Sequence, residues 1–228
     1  MNPFELIRDL FYPRLCAACE QTLQSYEEHI CIKCNLHLPR FGGPQFDELV
    51  LEKKFWGKIP VAHTRSFLQF SKNGPVQHIL HQIKYHNRPE LAEYMGKWFG
   101  EALKMDAFDQ ETDLIIGIPL HPLKKKRRGY NQADLFAKGL SDALQVAYDT
   151  ESLIRTEYTE TQTKKSRFKR FENMEGVFHV KFPDRVHQKR ICLVDDVLTT
   201  GATLEVAGKV LLDAGCKELS ILTIAAAL

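Results

Sequence analysis

The chain has 228 residues, of which 31 are lysine or arginine and 29 are aspartate or glutamate, so its formal net charge is only +2 at pH 7. Because basic and acidic residues are nearly equal in number, the overall charge does not attract the protein to nucleic acid. Only local clusters of basic residues would provide such an attraction. A hydrophobic content of 44% is sufficient for a folded core. The N-terminus lacks the basic-then-apolar order of a signal peptide, and no apolar run approaches the roughly 18 residues of a membrane span. We expect a cytoplasmic protein without membrane insertion.

The first element along the chain is a cysteine cluster with the spacing C-x2-C-x11-C-x2-C, formed by Cys16, Cys19, Cys31 and Cys34. Two CxxC pairs joined by a short loop supply the four thiolates of a tetrahedral Zn2+ site. Two disulfides are an alternative that needs an oxidising compartment, and a redox CxxC would explain only one of the pairs. We predict a structural zinc-finger module with its linker over residues 1–57, followed by a main domain over residues 58–228.

The first half of the main domain is predicted to contain one strand and two helices. A strand or hairpin over residues 61–70 ends at the turn signal Asn73-Gly74-Pro75. Apolar residues at helical spacing predict a helix over residues 76–85 and a second over residues 91–103. The predicted apolar faces are Val76, Ile79, Leu80 and Ile83 in the first helix, and Leu91, Met95, Trp98, Phe99 and Ala102 in the second.

The second half alternates buried strands with helices. LIIGIPL (114–120), ICLVDD (191–196) and SILTIAAAL (220–228) are apolar runs typical of strands covered on both faces of a parallel sheet. Helices are predicted over residues 131–144 and 203–214, so the pattern is that of an α/β fold with a mostly parallel sheet flanked by helices. Cys192 and Cys216 lie in these apolar stretches, and we interpret them as small buried hydrophobes.

The segment VDDVLTTGAT, residues 194–203, has two carboxylates at the end of a strand and a Thr/Gly-rich turn directly after them. The carboxyl end of a parallel strand opens onto the ligand crevice, and the N-terminus of the next helix attracts anions. Asp195 and Asp196 are therefore candidates for binding vicinal hydroxyls and a divalent metal, and the turn is a candidate phosphate site. Helix capping is the alternative, but two acids exceed what a cap needs. Neither a Walker A nor a G-x-G-x-x-G motif occurs.

This segment resembles the signature of type I phosphoribosyltransferases that binds phosphoribosyl pyrophosphate (PRPP). The resemblance implies a type I phosphoribosyltransferase fold in which Asp195 and Asp196 are catalytic and bind the ribose 2- and 3-hydroxyls. It also implies that the residues after them bind the 5-phosphate of PRPP with Mg2+; these are Val197, Leu198, Thr199, Thr200, Gly201, Ala202 and Thr203.

A four-Cys segment in front of such a domain narrows the resemblance to the ComF family, also called GntX-type or amidophosphoribosyltransferase-like proteins. Three other segments are similar to that family's elements. They are Lys84-Tyr85 in HQIKYHNRPELAEYMG, Pro119 and Arg128-Gly129-Tyr130-Asn131-Gln132 in PLHPLKKKRRGYNQA, and Gln162-Thr163, Arg170, Asn173 and Phe178 in TQTKKSRFKRFENMEGVF.

Two basic segments are candidates for binding anions. Residues 119–130 follow a predicted strand and bring Lys124 and Arg128 to the same sheet edge as Asp195, where cations would bind pyrophosphate. A solvated basic face is the alternative for the lysines. Arg170 belongs to the second segment, residues 164–170, which is interpreted either as a mobile hood over the substrate or as a plain surface loop.

Two functions follow from the ComF resemblance. One is a phosphoribosyltransferase that binds PRPP, a phosphorylated ribose or a nucleotide and transfers the phosphoribosyl group to an unknown acceptor. The other is an accessory protein of DNA uptake in natural competence, which binds single-stranded DNA and works with other competence proteins. Basic loops interleaved with Tyr130, Phe168 and Phe171 suit single-stranded DNA, whereas the near-neutral net charge does not.

Overall fold

The central element of the protein is a parallel β-sheet. The computed structural model describes residues 13–42, 49–156 and 176–228. Its strands in chain order are β1 (Thr64–Gln69), β2 (Leu114–Gly117), β3 (Tyr148–Asp149), β4 (Leu153–Arg155), β5 (Phe178–Val180), β6 (Arg190–Leu198) and β7 (Glu218–Ala226). Five of them form a sheet in the order β1-β7-β6-β2-β3 with parallel neighbours throughout, while β4 and β5 pair as a separate antiparallel hairpin.

Helices cover both faces of this sheet. They are α1 (Ile32–His37), α2 (Leu49–Glu52), α3 (Pro75–Tyr85), α4 (Pro89–Met105), α5 (Pro122–Arg128), α6 (Gln132–Leu144), α7 (Pro183–Val186) and α8 (Ala202–Asp213). Cys192 and Val194 of β6 pack into the core formed with α3, α4 and α6, whereas Ile191 and Leu193 pack into the core formed with α2 and α8. The expected α/β fold with a mostly parallel, doubly covered sheet is therefore confirmed.

Two glycines allow α4 and α6 to cross at close range. A Cβ atom at Gly96 would lie 2.3 Å from the carbonyl oxygen of Phe136, and one at Gly139 would lie 2.1 Å from that of Glu93. These distances are below any normal contact, so larger residues would force the helices apart. The crossing fixes α6, whose first turn faces the end of β6.

The buried face of α4 differs in part from the sequence prediction. Leu91, Met95 and Phe99 are buried as expected, but the prediction for Ala102 was wrong because this residue is exposed. Residues that the prediction left out are buried as well, and one of them is Gly96, because the close contact with α6 needs a residue without a side chain. A pattern based on hydrophobicity overlooks such positions.

The basic segment after β2 also differs from expectation. It was predicted as a loop, but residues 122–128 form helix α5, which has a proline in its first turn and ends at Gly129 with a φ of 84°. His121 caps the helix, since its side chain accepts a hydrogen bond of 3.3 Å from the amide of Leu123. The helix orders the basic side chains along its length.

The four-Cys segment, residues 13–42, attaches to the outer edge of β1. The amide of Gln69 donates a 2.7 Å hydrogen bond to the carbonyl of Pro39, and Arg40 forms an antiparallel bridge with Leu68. The guanidinium of Arg40 lies 4.5 Å from the centre of the Trp98 ring. Backbone pairing and a cation–π contact thus connect this segment to the sheet and to α4.

A second segment, residues 49–59, packs on the opposite face. Leu51, Phe55 and Ile59 are buried in the core that also contains residues of β6, β7 and α8. The division of the chain at residue 57 stays a prediction. Within the described residues, none of the helices has the length and apolarity that crossing a membrane requires.

Candidate functional site

The two acidic residues lie near the carboxyl end of β6 and have different surroundings. Asp196 is buried on the face of α3 and α6. One of its carboxylate oxygens accepts a 2.9 Å hydrogen bond from the ammonium of Lys84, and the other accepts a 2.7 Å bond from the amide of Gln132. Both oxygens of Asp196 are thus satisfied by side chains that the sequence presents on two different helices.

Asp195 has a different environment. Its carboxylate accepts a 2.8 Å hydrogen bond from the amide of Asp196. Burial raises the pKa of Asp195, and the neighbouring charge of Asp196 raises it further, while Lys84 and Arg155 act in the opposite direction without offsetting the increase. A carboxylate in this position gains from any hydroxyl donor or cation that binds beside it.

A turn between β6 and α8 forms the candidate phosphate loop, residues 199–203. Gly201 has a φ of 81° and precedes the first residue of α8, a left-handed conformation that glycine adopts without strain. Asp195, Val197 and the loop line a recess of about 40 Å3. Thr199 and Thr200 are exposed in this recess. The loop therefore presents hydroxyls and the N-terminal amides of α8 beside the acidic pair.

Two of the sequence candidates belong to the strand and not to the loop. Val197 and Leu198 are the last residues of β6, which extends two residues further than expected. Leu198 is fully buried and pairs with Ala226, whereas Val197 lines the recess. Leu198 thus positions the loop through the core.

A larger basic cavity of about 490 Å3 lies on the Asp196 side of the site, lined by Lys84, Tyr85, Asn87, Arg127, Arg128 and Tyr130. Arg128 donates a hydrogen bond to Gln132, and its guanidinium lies 5.8 Å from the centre of the Tyr85 ring. The hydroxyl of Tyr130 donates to the carbonyl of Ile83. Gln132 therefore connects the cavity directly to Asp196.

The basic residues of α5 do not contribute equally to this cavity. Arg128 lines it as the sequence suggested, and its neighbour Arg127 in the same basic segment lines it too. Lys124 is exposed and lies outside the lining residues. Arg170, the rest of residues 164–170, and Phe168 and Phe171 lie outside the described residues. The structure therefore brings Arg128, but not Lys124, next to the acidic pair.

Arg155 is a site residue that sequence reasoning missed. It lies on β4 opposite Phe178 of β5, and its guanidinium is 5.4 Å from the centre of that ring. Its Nε atom is buried and has no hydrogen-bond partner among the described residues. Burial lowers the pKa of Arg155, and Asp195 acts against this change. No local motif marks this residue, because its proximity to Asp195 depends on the hairpin.

The four cysteines form a cluster suited to one metal ion. Their sulfur atoms all lie within 4.8 Å of one another, and Cys19 Sγ is 3.8 Å from Cys31 Sγ. Tetrahedral thiolates around zinc are separated by about 3.8 Å, given Zn–S bonds of about 2.3 Å. Backbone amides donate to two of the sulfurs, Cys31 N to Cys16 Sγ at 3.3 Å and Cys34 N to Cys31 Sγ at 3.4 Å. Such donors stabilise thiolates, so the donor set fits a bound metal.

The two cysteines outside the cluster are buried as predicted. Cys192 lies within β6, and Cys216 lies between α8 and β7. Burial raises the pKa of the Cys216 thiol to about 11, so it stays protonated at neutral pH. These two thiols serve packing.

Comparison with known proteins identifies the main domain. The model of the family described as phosphoribosyl transferase domain matches residues 84–228, which is more than half of the chain. The chain belongs to this family. The match contains the acidic pair, the 199–203 loop and all of α5, so the phosphoribosyl transferase domain includes most of the site described above.

Relatives of the chain carry the names DNA utilization protein and competence protein. A protein of Shigella flexneri named DNA utilization protein YhgH is 31% identical over 154 residues, which cover 64% of this chain and 65% of the relative. The chain thus spans about two thirds of the length of that relative. Competence protein F of Haemophilus influenzae is 27% identical over 216 residues, 91% of this chain and 88% of the relative. The resemblance to the ComF family is confirmed.

Among solved structures, the chain is similar to glutamine phosphoribosylpyrophosphate amidotransferase from B. subtilis, complexed with ADP and GMP. The TM-score is 0.43 at 21% identity, and the match covers 63% of this chain and 30% of the other.

Proposed function

We propose that this protein binds PRPP, or another ribose carrying a 5-phosphate, and transfers the phosphoribosyl group to an acceptor. One observation carries the proposal: Asp195 and Asp196 lie near the carboxyl end of β6, between the 199–203 loop and the basic cavity around Arg128. The site thus contains, in this order, a loop that suits a phosphate, carboxylates that suit hydroxyls and cations that suit pyrophosphate. PRPP carries its 5-phosphate, its ribose hydroxyls and its pyrophosphate in the same order.

Each part of the site then has its own role. The amides and hydroxyls of the 199–203 loop bind the 5-phosphate. Asp195 and Asp196 accept hydrogen bonds from the ribose 2- and 3-hydroxyls, and Lys84 and Gln132 keep Asp196 in position. Carboxylate and phosphate oxygens are ligands that Mg2+ accepts, and this ion would neutralise part of the pyrophosphate charge.

The reaction is a substitution at the anomeric carbon of the ribose. The bond from this carbon to the pyrophosphate oxygen breaks with both electrons leaving on pyrophosphate. A nucleophilic atom of the acceptor forms the new bond and loses its proton to solvent or to a nearby base. Arg127, Arg128 and Lys84 stabilise the negative charge that develops on the leaving group.

A thermal-shift titration tests this proposal. PRPP with Mg2+ is expected to raise the melting temperature, since a ligand at a hundred times its dissociation constant adds about 2.7 kcal/mol to the stability of the native state. The Asp196→Asn variant should lose most of the shift. A wild-type melting curve that does not move with saturating PRPP or ribose 5-phosphate would reject the site. Pyrophosphate release with a panel of nucleobases and amines then identifies the acceptor.

A second candidate function is binding of single-stranded DNA in competence. It is favoured by the names of the relatives, and by α5, where Lys124, Lys125, Lys126 and Arg127 are all exposed. An exposed cationic helix suits the phosphate backbone, and Tyr130 at its end offers a ring to a base. In this role the protein acts in the cytoplasm with other competence proteins.

Ionic strength separates the two functions. Fluorescence anisotropy with a labelled oligonucleotide should give a dissociation constant that rises steeply with salt if α5 contacts several phosphates. Changing Lys124, Lys125 and Lys126 together to Gln should weaken this binding and leave the PRPP thermal shift unchanged. If neither salt nor the triple substitution changes the dissociation constant for the oligonucleotide, α5 is not the surface that binds DNA.

We also propose that the ion in the four-Cys cluster is zinc with a structural role. All four ligands are thiolates, which leaves no open coordination position for a substrate. Metal analysis of the purified protein, with about one zinc per chain expected, tests this assignment.

A further inference from the structure

The 199–203 loop has the sequence Thr-Thr-Gly-Ala-Thr and contains no basic side chain. A phosphate monoester carries a charge of about −1.5 to −2 at pH 7. The loop offers only neutral hydroxyls and amides, and Asp195 beside it is an acid. The loop therefore has no formal positive charge of its own, and a cation from another part of the chain would strengthen the binding of a phosphate there.

Lys54 approaches the loop closely. Its ammonium donates a 2.8 Å hydrogen bond to the carbonyl oxygen of Thr199, the first residue of the loop. An ammonium has three N–H donors, and this contact uses one of them. Among the residues that the structure describes, the other two donors make no further hydrogen bond.

The core fixes the backbone that carries Lys54. The flanking residue Phe55 is 1% exposed, and its ring lies 3.1 Å from the point where a Cβ atom of Gly201 would be. Leu51 and Ile59 are buried in the same core. The 49–59 segment therefore packs directly beneath the loop, and Lys54 is positioned by this packing rather than by chance contact at the surface.

A second lysine of the segment acts on the same helix end. Glu205 lies in the first turn of α8, where its negative charge opposes a bound anion. The ammonium of Lys58 lies 3.5 Å from the Glu205 carboxylate. Lys58 thus offsets the acid, so the charge of Lys54 is not cancelled at the helix N-terminus.

We propose that Lys54 is a phosphate-binding residue of this site, supplied by a segment outside the matched family domain, which begins at residue 84. It contributes the positive charge for the 5-phosphate and holds the loop through Thr199. The inference rests on the proposed function and adds to it the source of the cation. It makes the 49–59 segment a part of the binding site.

Calorimetric titration of ribose 5-phosphate into the full chain tests Lys54 against its neighbour. Lys53 is exposed, and its ammonium lies 5.9 Å from the Trp56 ring, so Lys53→Gln is a matched control. Lys54→Gln should weaken ribose 5-phosphate binding about tenfold or more, because charged hydrogen bonds are the strong ones. Lys53→Gln should stay within about twofold of wild type, and Lys54→Arg should recover most of the affinity.

Pyrophosphate serves as the ligand control, since the basic cavity and not Lys54 is expected to bind it. A selective loss of ribose 5-phosphate affinity in Lys54→Gln supports the inference. Equal affinities of Lys54→Gln and Lys53→Gln would overturn it while wild-type binding still upholds the proposed function. Loss of both ligands together with a lower melting temperature would also overturn it, because Lys54 would then only stabilise the fold. Failure of the wild type to bind ribose 5-phosphate or PRPP would reject the proposed function itself.

Discussion

Lys84 on α3 and Asp196 on β6 form an ion pair of 2.9 Å at the point where the basic cavity meets the acidic pair. The Asp196 side chain is only 8% exposed and that of Lys84 25% exposed, so water screens the pair weakly. The pair connects the first residue of the matched family domain to its acidic signature. Its removal affects both folding and the site.

We expect Lys84→Met to destabilise the protein by about 1–3 kcal/mol, because it leaves the Asp196 carboxylate buried without its cation. Urea unfolding at pH 7 measures the loss. The double variant Lys84→Met with Asp196→Asn should recover part of it, since the unpaired charge is then gone. Equal stability of Lys84→Met and wild type would contradict a structural role for the pair.

Asp195→Asn is expected to stabilise the unliganded protein at neutral pH. The pKa of Asp195 is raised in the folded state, so folding favours the protonated form, and the wild type loses stability as pH rises above the unfolded pKa of about 3.9. At pH 8 the melting temperature of the variant should be about 2–4 °C higher than that of the wild type. Below pH 4 the two melting temperatures should be the same. Melting curves across this range measure the effect.

The matched control for Asp195→Asn is Glu101→Gln, which changes an exposed acid on α4. It should leave the melting temperature nearly constant at every pH. A gain for Asp195→Asn that persists at pH 4 would show that the carboxylate charge is not its cause.

Cys16→Ser should abolish metal binding and unfold residues 13–42, since a small module of this kind folds with its metal in one equilibrium. Elemental analysis and hydrogen exchange measure the two effects. Cys216→Ser is the control, because this thiol lies outside the cluster, and it should retain about one zinc per chain. The zinc assignment would be contradicted if the wild type contained no metal and four free thiols while the amides of residues 13–42 were still protected from hydrogen exchange.

Arg128→Gln should weaken pyrophosphate binding about tenfold, whereas Lys124→Gln should change it less than twofold, because Arg128 lines the basic cavity and Lys124 does not. Isothermal calorimetry gives both affinities. The melting temperatures of the two variants should stay close to that of the wild type. Equal losses of pyrophosphate affinity in the two variants would indicate that the total charge of α5 attracts the anion and that the cavity does not.

Regular periodicity predicted the elements that form the sheet and its main helices. The 3.6-residue spacing of Val76, Ile79 and Ile83 marked α3, and all three are buried. The apolar runs marked β2, β6 and β7 because parallel strands covered on both faces need no polar alternation. The acidic pair and the threonine-rich turn could also be recognised in the sequence, because the strand, the turn and the helix follow one another directly along the chain.

Features that depend on distant segments were not predictable in this way. Arg155 approaches Asp195 only because β4 pairs with β5, and Lys54 approaches Thr199 across 145 positions of sequence. The predicted apolar face of α4 did not include Gly96, although Gly96 is a contact point of two helices. Tertiary packing determines these positions, and a local pattern contains no information on it.

The backbone pairing of residues 39–41 with β1 has a consequence for the behaviour of the protein in solution. Without it, β1 would present a free strand edge, a template on which another chain can add a strand. The other edge of the sheet, β3, has only two residues and is a poor template. The cysteine segment therefore covers this edge of the sheet and prevents intermolecular β-pairing. If the cluster binds zinc as proposed, chelation of the zinc should produce aggregates and not a soluble domain.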